Sequence, residues 1–232
     1  MIAHLMADYI FQPHRWSILK RQKIVSIQHI YHVVVVFFCS YILSFDFHFW
    51  GAALIITILH FGTDVLKSYL QIKAERKNKD INYFFYDQAL HLIILTTISA
   101  LYLHLYSVNY IIDLSYNTVF IAFGFVLLSK PTNIFMKNIF LVFKIETPVD
   151  NTLDENASEK SLPNAGKLIG IMERYLVFSL ILVSQYAAVG LIIAAKSILR
   201  YKSSYKNEYI LVGTLLSFGI ATLVGIYIFS LV

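Results

Sequence analysis

The sequence predicts an all-α fold, a polytopic transmembrane helical bundle of about seven to eight membrane segments. Three observations carry that expectation. Of 232 residues, 58% are hydrophobic and only 14% charged, whereas soluble domains carry about 25% charged residues. The mean hydropathy is positive, at +0.65. From residue 24 onward, stretches almost free of Lys, Arg, Asp and Glu recur at close to the roughly 20 residues that a spanning helix needs, a length that excludes strands.

In chain order the segments fall at 1–11, 24–45, 49–70, 83–106, 112–129, 167–184, 186–200 and 208–231. The first lacks a basic leader and is interrupted by His4 and Asp8, so it reads as a short helix that stays rather than a signal peptide. Segments 1–11 and 186–200 are short for a full crossing and are expected to be re-entrant or tilted, which leaves a seven-span alternative. The connections 12–23, 71–82 and 130–166 hold four Lys or Arg each and 201–207 holds two, while the turns near 46–48, 107–111 and 185 hold none. Basic loops stay in the cytosol, so this asymmetry orients the chain. The stretch 145–164, rich in Pro, Asn, Ser and acids, reads as a flexible cytosolic linker. It divides the chain into an N-terminal helical half, 1–144, and a C-terminal helical half, 165–232. Just before it, KPTNIFMKNIFLVFK alternates cations with large apolar residues, as an interfacial helix on the inner leaflet does.

The single cysteine, Cys39, excludes a disulfide framework and a Cys-based zinc site. The net charge of +5 points to anionic lipid head groups. No basic-aromatic nucleic-acid motif accompanies it. Expected partners are membrane lipids and a divalent metal, with a homo-oligomer left open and nucleic acid excluded.

Four pairs of polar residues interrupt the apolar segments: His4 and Asp8 in HLMAD, His29 and His32 in HIYH, His60 and Asp64 in HFGTD, Asp87 and His91 in DQALH. Each pair is spaced i,i+3 or i,i+4, which on a helix puts both side chains on one face with Cβ atoms roughly 5–6 Å apart. That is metal-ligand spacing. The topology, drawn from Lys and Arg alone, sets all four pairs within about two turns of the cytosolic helix ends. Antiparallel neighbours can then gather five imidazoles and three carboxylates, enough for one metal ion or two. A charged group at membrane depth costs roughly 2.5–3.5 kcal/mol on insertion scales, and a divalent cation offsets that cost.

Taken alone, any one pair is a cap or a helix–helix hydrogen bond; the expectation of a metal site rests on four pairs at one depth. His29, His32, His60, Asp64 and His91 are the expected ligands, with His4, Asp8 and Asp87 completing a second site or the surrounding shell, and Asp8 and Asp87 are the expected catalytic carboxylates. Zinc is expected first, and manganese or iron suits the same donors. His14, His48 and His104 lack partners at helical spacing and read as structural or solvent-exposed. In the second half, Arg174, Lys196 and Arg200 are candidates for an anionic head-group pocket. The bland alternative has the cations snorkelling to lipid phosphates, or Glu173 and Glu208 pairing with Arg. Gly213 and Gly219 are expected to permit close helix packing.

The segments HLMADYIFQ, HIYH, HFGTDVLK and FFYDQALHL resemble the bacterial membrane family catalogued as domain of unknown function 3307. KPTN, NAGKLIGIMER, QYAAVGLIIAAKSILR and EYILVGTLLSFG look like the longer version of that family. The resemblance implies a multi-pass protein of the bacterial inner membrane and supports the His/Asp site, without bringing an activity. By analogy alone, the pattern is also loosely similar to membrane-bound metal-dependent hydrolases. Neither a HExxH motif nor a prenyl-protease glutamate pair is present. The first functional expectation is a metal-dependent hydrolase acting on a lipid or membrane-associated substrate at the cytosolic leaflet. A cation or proton transporter and a metal-stabilised sensor or assembly protein are the alternatives.

Overall fold

The structure is a computed structural model that describes residues 1–75, 83–108, 110–145, 165–200 and 207–232. Among these residues all regular structure is helical. Three helices, Phe47–Glu75 with its 3-10 entry, Phe84–Leu105 and Leu211–Phe229, are long and apolar enough to cross a membrane. A bent pair, Tyr116–Leu128 with Lys130–Val142, raises the number to four if it is one broken span. The expected seven to eight crossings are therefore not all met by length and composition. Helix Ile27–Ile42 has 16 residues, about 24 Å at 1.5 Å per residue, against a hydrocarbon core of about 30 Å. The expected linker at 145–164 falls almost wholly outside the described residues.

The chain forms two compact units, Met1–Leu114 and Ser115–Val232. The first contains α1 (Ile2–Leu5), which runs on into a π-helical turn, Met6–Ile10, then α2 (His14–Gln22), α3 (Ile27–Ile42), α4 (Trp50–Glu75) and α5 (Phe84–Leu105). α4 is central, packing against both α3 and α5, while α2 lies on α4 and α3. Sequence periodicity explains the packing. Along α4 the buried positions are Ala52, Ala53, Ile56, Thr57, His60, Asp64 and Ser68, a stripe at helical spacing whose upper part is small and apolar and whose lower part is polar. The opposite face, with Leu54, Ile55, Ile58, Leu59 and Leu66, is exposed. Apolar outside and polar inside is the arrangement a bilayer favours.

At the far end of this unit the loop before α4 is pinned by Asp46. Its Oδ1 accepts from the His48 amide at 2.9 Å and its Oδ2 from the Tyr102 hydroxyl at 2.8 Å. Burial alone would raise the Asp46 carboxyl, but these hydrogen bonds outweigh it and hold the group below the usual carboxylate range. His48 itself projects outward, and His14 and His104 are exposed, as expected of histidines without helical partners.

The second unit contains α6 (Tyr116–Leu128), α7 (Lys130–Val142), α8 (Ala165–Leu182), α9 (Tyr186–Arg200) and α10 (Asn207–Phe229). The segment expected to form an interfacial helix is α7, bent 45° from α6 at Ser129. Both pack with α8 and α10, so in packing terms they belong with the C-terminal helices rather than with the His/Asp cluster. The core is apolar: Leu128, Val177, Phe178, Ile181, Val189, Phe218, Ala221 and Ile228. Close approach is made at Gly124 and Gly225, not at the glycines expected from sequence. A Cβ on Gly124 would fall 2.4 Å from the Phe178 ring and one on Gly225 2.9 Å from Ile181, whereas at Gly219 it would meet nothing within 4 Å and at Gly213 only ordinary contact with Phe140. Overpacking of this kind costs typically about 1–3 kcal/mol. Gly124→Ala is therefore expected to lower the thermal midpoint of the detergent-solubilised protein, and Gly219→Ala to leave it unchanged.

Candidate metal centre

The first unit brings seven of the eight expected ligands into one cluster. The π-helical turn, closed by the Phe11 amide on the Met6 carbonyl at 2.8 Å, carries Asp8 at its first turn and sets it i,i+4 from His4. π-turns are rare and concentrate at functional sites. Tyr9, on the same turn, donates to Gln88 Oε1 at 2.7 Å and so ties this short element to α5. Asp8 Oδ1 is the hub. It lies 3.4 Å from His4 Nδ1, 3.4 Å from His32 Nε2 and 3.0 Å from His60 Nε2.

The other carboxylates stand beside it. His32 Nε2 is 3.7 Å from Asp64 Oδ2, and His91 Nδ1 is 3.6 Å from Asp87 Oδ1. The His60 and His91 rings are 4.0 Å apart between centroids. Three groups have ligand atoms mutually within 4.8 Å: His4, Asp8 and His60; His32, His60 and Asp64; and Asp64, Asp87 and His91. His60 and Asp64 are each shared by two of them.

His29 takes a different role. Its Nδ1 accepts the Ser26 amide hydrogen at 3.1 Å, closing a capping box at the start of α3. Nε2 is left to donate to Ser68 Oγ at 3.1 Å. With both ring nitrogens engaged, it joins none of the three groups. His29→Ala is expected to lower stability by about 1 kcal/mol through loss of the cap and to leave metal content unchanged, as thermal scanning and elemental analysis of one preparation would read.

Three side chains that sequence reasoning missed complete the cluster. Lys20, on α2, places Nζ 2.5 Å from Asp64 Oδ2, and Lys67 places Nζ 2.7 Å from Asp87 Oδ2. The Thr63 hydroxyl lies 2.8 Å from His91 Nε2. His91 Nδ1 donates to the Asp87 carbonyl at 2.8 Å, which fixes the tautomer and presents Nε2 as the basic nitrogen. Helical spacing could have found Lys67, because His60, Asp64, Lys67 and Ser68 continue one face of α4. Lys20 gave no such signal.

The electrostatics separate the three carboxylates. Asp64 and Asp87 each have an ammonium partner. Asp8 has only imidazoles. Around it lie buried polar atoms with no hydrogen-bond partner: His4 Nδ1, His60 Nδ1, and both nitrogens of His32, a residue with 0% exposure. Buried polar groups are nearly always satisfied, so this concentration, with His4 Nδ1 and His32 Nε2 facing Asp8 at 3.4 Å, makes the cluster a candidate ion site. A tetrahedral zinc site with bonds of about 2.0–2.1 Å sets its ligand atoms roughly 3.3–3.4 Å apart. The three nitrogen distances to Asp8 Oδ1 lie at or just under that edge; the His4, Asp8 and His60 atoms also lie within 4.8 Å of one another, while His32 groups with His60 and Asp64, and imidazoles with a carboxylate are a donor set that suits zinc, manganese or iron.

In the second unit, the residues expected to form an anionic head-group pocket are engaged within the fold. The Arg174 guanidinium, 1% exposed, donates from Nε to the Leu128 carbonyl at 2.8 Å, from Nη2 to the Ser129 carbonyl at 3.2 Å and to Asn133 Oδ1 at 2.8 Å, and from Nη1 to Ser217 Oγ at 3.2 Å. These acceptors include the Leu128 carbonyl at the end of α6, which the bend leaves without a helical partner. Lys196 pairs with Glu173 and lies over the Phe218 ring, so the partner of Glu173 is a lysine rather than the arginine expected. The side chain of Arg200 falls outside what the structure describes.

Fold and site together define a helical protein with membrane-length apolar helices and a buried imidazole–carboxylate cluster in its first unit. The family model described as Protein of unknown function (DUF3307) matches residues 1–122, and the chain belongs to that family. The match ends within α6, so it covers the whole cluster and little of the second unit, where the sequence resemblance had been expected to continue. No curated protein and no solved structure matches the chain.

Proposed function

We propose that this is a multi-pass protein of the bacterial inner membrane whose cluster holds one divalent cation near the cytosolic face and hydrolyses a lipid or membrane-associated substrate there. The observation that carries the reading is the set of three buried imidazoles converging on Asp8, four of whose nitrogens have no hydrogen-bond partner, around the one carboxylate of the three without an ammonium. Asp8, His4 and His60 hold the ion, zinc before manganese or iron, and His32 and Asp64, which group with His60, stand beside it. The shorter helices, α1 and α3 among them, act as partial or tilted crossings packed on α4.

When bound, the cation supplies Lewis acidity to water and to the scissile group. The chain supplies the rest. Asp87 Oδ1 is buried without a hydrogen-bond partner and serves as proton acceptor for the attacking water. His91, whose Nδ1 donates to the Asp87 carbonyl, keeps its basic Nε2 toward Thr63 and positions Asp87, which returns the proton to the leaving group. Transport is disfavoured by what lies beyond His60. The buried stripe of α4 continues through Thr57, Ile56, Ala53 and Ala52, with Val36 and Leu95 buried on the neighbouring helices, and offers a cation no chain of ligands.

Elemental analysis of protein purified without a histidine tag is expected to find about one equivalent of zinc, manganese or iron per chain, the low end of the one or two ions that the donor count allows. Incubation with inner-membrane lipid extract is expected to deplete one lipid class, and Asp87→Asn to keep the ion while leaving that class intact. A wild-type chain that stays metal-free after dialysis against all three metals would end the proposal.

A further inference from the structure

Lys20 and Lys67 are the residues of the cluster that cannot serve as ligands while they remain ammonium ions, yet both are drawn into it. The Lys20 side chain is 8% exposed and that of Lys67 26% exposed. An ammonium has three N–H donors. One from each lysine goes to a carboxylate, Asp64 Oδ2 or Asp87 Oδ2, which leaves two donors on each. For Lys20 those two donors are held in a nearly closed environment, where an unused donor is costly.

The charge balance then decides what the pocket accepts. Three carboxylates against two ammoniums leave one net negative charge among the Asp and Lys side chains, and an imidazole that ligates a metal is neutral. A divalent cation at Asp8 turns this into one net positive charge in a site of low dielectric. A neutral ester or amide would leave that charge uncompensated and would use few of the four spare donors. A phosphoryl group supplies both an anionic charge and several acceptor oxygens, and lysine is a common partner for it.

We propose that the substrate of this site carries a phosphoryl group, whose non-bridging oxygens Lys20 and Lys67 grip beside the ion. This rests on the metal reading above and names its substrate class. In the hydrolysis, the water oxygen forms a bond to phosphorus as the ester P–O bond breaks. Asp87 takes one water proton, and the leaving oxygen departs as an alcohol with the proton returned to it.

The test uses the full chain loaded with manganese, whose paramagnetism shortens the phosphorus-31 relaxation of any phosphoryl group bound next to it. Two probes are used: inorganic phosphate added to the detergent-solubilised protein, and phosphatidic acid in phosphatidylcholine nanodiscs. Chelator-reversible relaxation enhancement is expected for at least one of them. Enhancement with phosphate identifies the phosphoryl group alone as sufficient, and enhancement with phosphatidic acid only identifies a lipid head group as the source. Lys67→Gln and Lys20→Gln are expected to weaken the effect at least tenfold with manganese content unchanged, and Lys67→Arg to retain it. Lys67 is partly exposed, so its variants test the idea even if Lys20→Gln fails to fold. A chain that holds manganese but enhances neither probe, or whose Lys67→Gln variant matches wild type, overturns the phosphoryl assignment. A chain that holds no manganese, zinc or iron overturns the metal reading itself.

Discussion

Alanine at His60 is expected to empty the metal centre, lowering the bound ion from about one equivalent per chain to a trace, with apparent affinity reduced at least about 100-fold. The size of the effect follows from position. His60 Nε2 lies 3.0 Å from Asp8 Oδ1, its ring is 4.0 Å from that of His91, and it belongs to two of the three ligand groups. Loss of residues that only orient ligands typically costs about 10–100-fold in affinity, and loss of a shared ligand should exceed that range. Asp64→Ala is expected to act in the same direction, since Asp64 is the other shared residue. His104→Ala, on the same fold but exposed, serves as the control and should retain the ion. Elemental analysis of the three variants beside wild type makes the comparison, and a His60→Ala chain that keeps a full equivalent would show the ligand set to be wrong.

The second large effect is expected on stability. Replacing Arg174 with methionine keeps much of the side-chain length but removes four hydrogen bonds, two of them buried and two part-buried. The Leu128 and Ser129 carbonyls lose their partner at the bend between α6 and α7. Each buried acceptor left unsatisfied costs about 1–3 kcal/mol, so a total of roughly 3 kcal/mol or more is expected, a fall in thermal midpoint of about 10 °C for a chain of this size. Arg174→Lys should recover only part, because an ammonium cannot reach the divergent acceptors that a planar guanidinium fork spans. Metal content should be unaffected by either change, since Arg174 lies in the second unit and the cluster in the first. Thermal scanning with elemental analysis on the same preparations tests both halves of the expectation.

Much of the site was legible in the sequence because helical spacing is a strong constraint. Once His60 and Asp64 are placed on one face of a helix, and Asp87 and His91 on another, few arrangements of antiparallel helices keep them apart. What spacing could not separate was His29 from His32. The two are three residues apart on one helix, yet Ser26 and Ser68 capture His29 whereas His32 makes no hydrogen bond and turns Nε2 toward Asp8 and Asp64. Caps are local, but recognising this one required knowing where α3 begins.

In the sequence Lys20 reads only as part of a basic loop, because its partner is 44 positions away and depends on α2 folding back over α4. The environment of Arg174 escapes the sequence for a related reason. A cation beside an apolar segment suggests phosphate, but the break at Ser129 supplies carbonyl acceptors that no composition argument reveals. The number of crossings was the least legible feature, since hydrophobic runs mark apolar surroundings without distinguishing a full span from the 16-residue α3 or the nine-residue entry through α1 and its π-turn.

The ammonium partners of Asp64 and Asp87 bear on how such a protein matures. With two of three acidic side chains already neutralised by the chain itself, a newly made polypeptide can settle its first unit before any metal reaches it. On the proposed metal reading, loading would be a late event in biogenesis rather than a condition for folding, and a metal-starved cell is expected to accumulate an intact, metal-free chain.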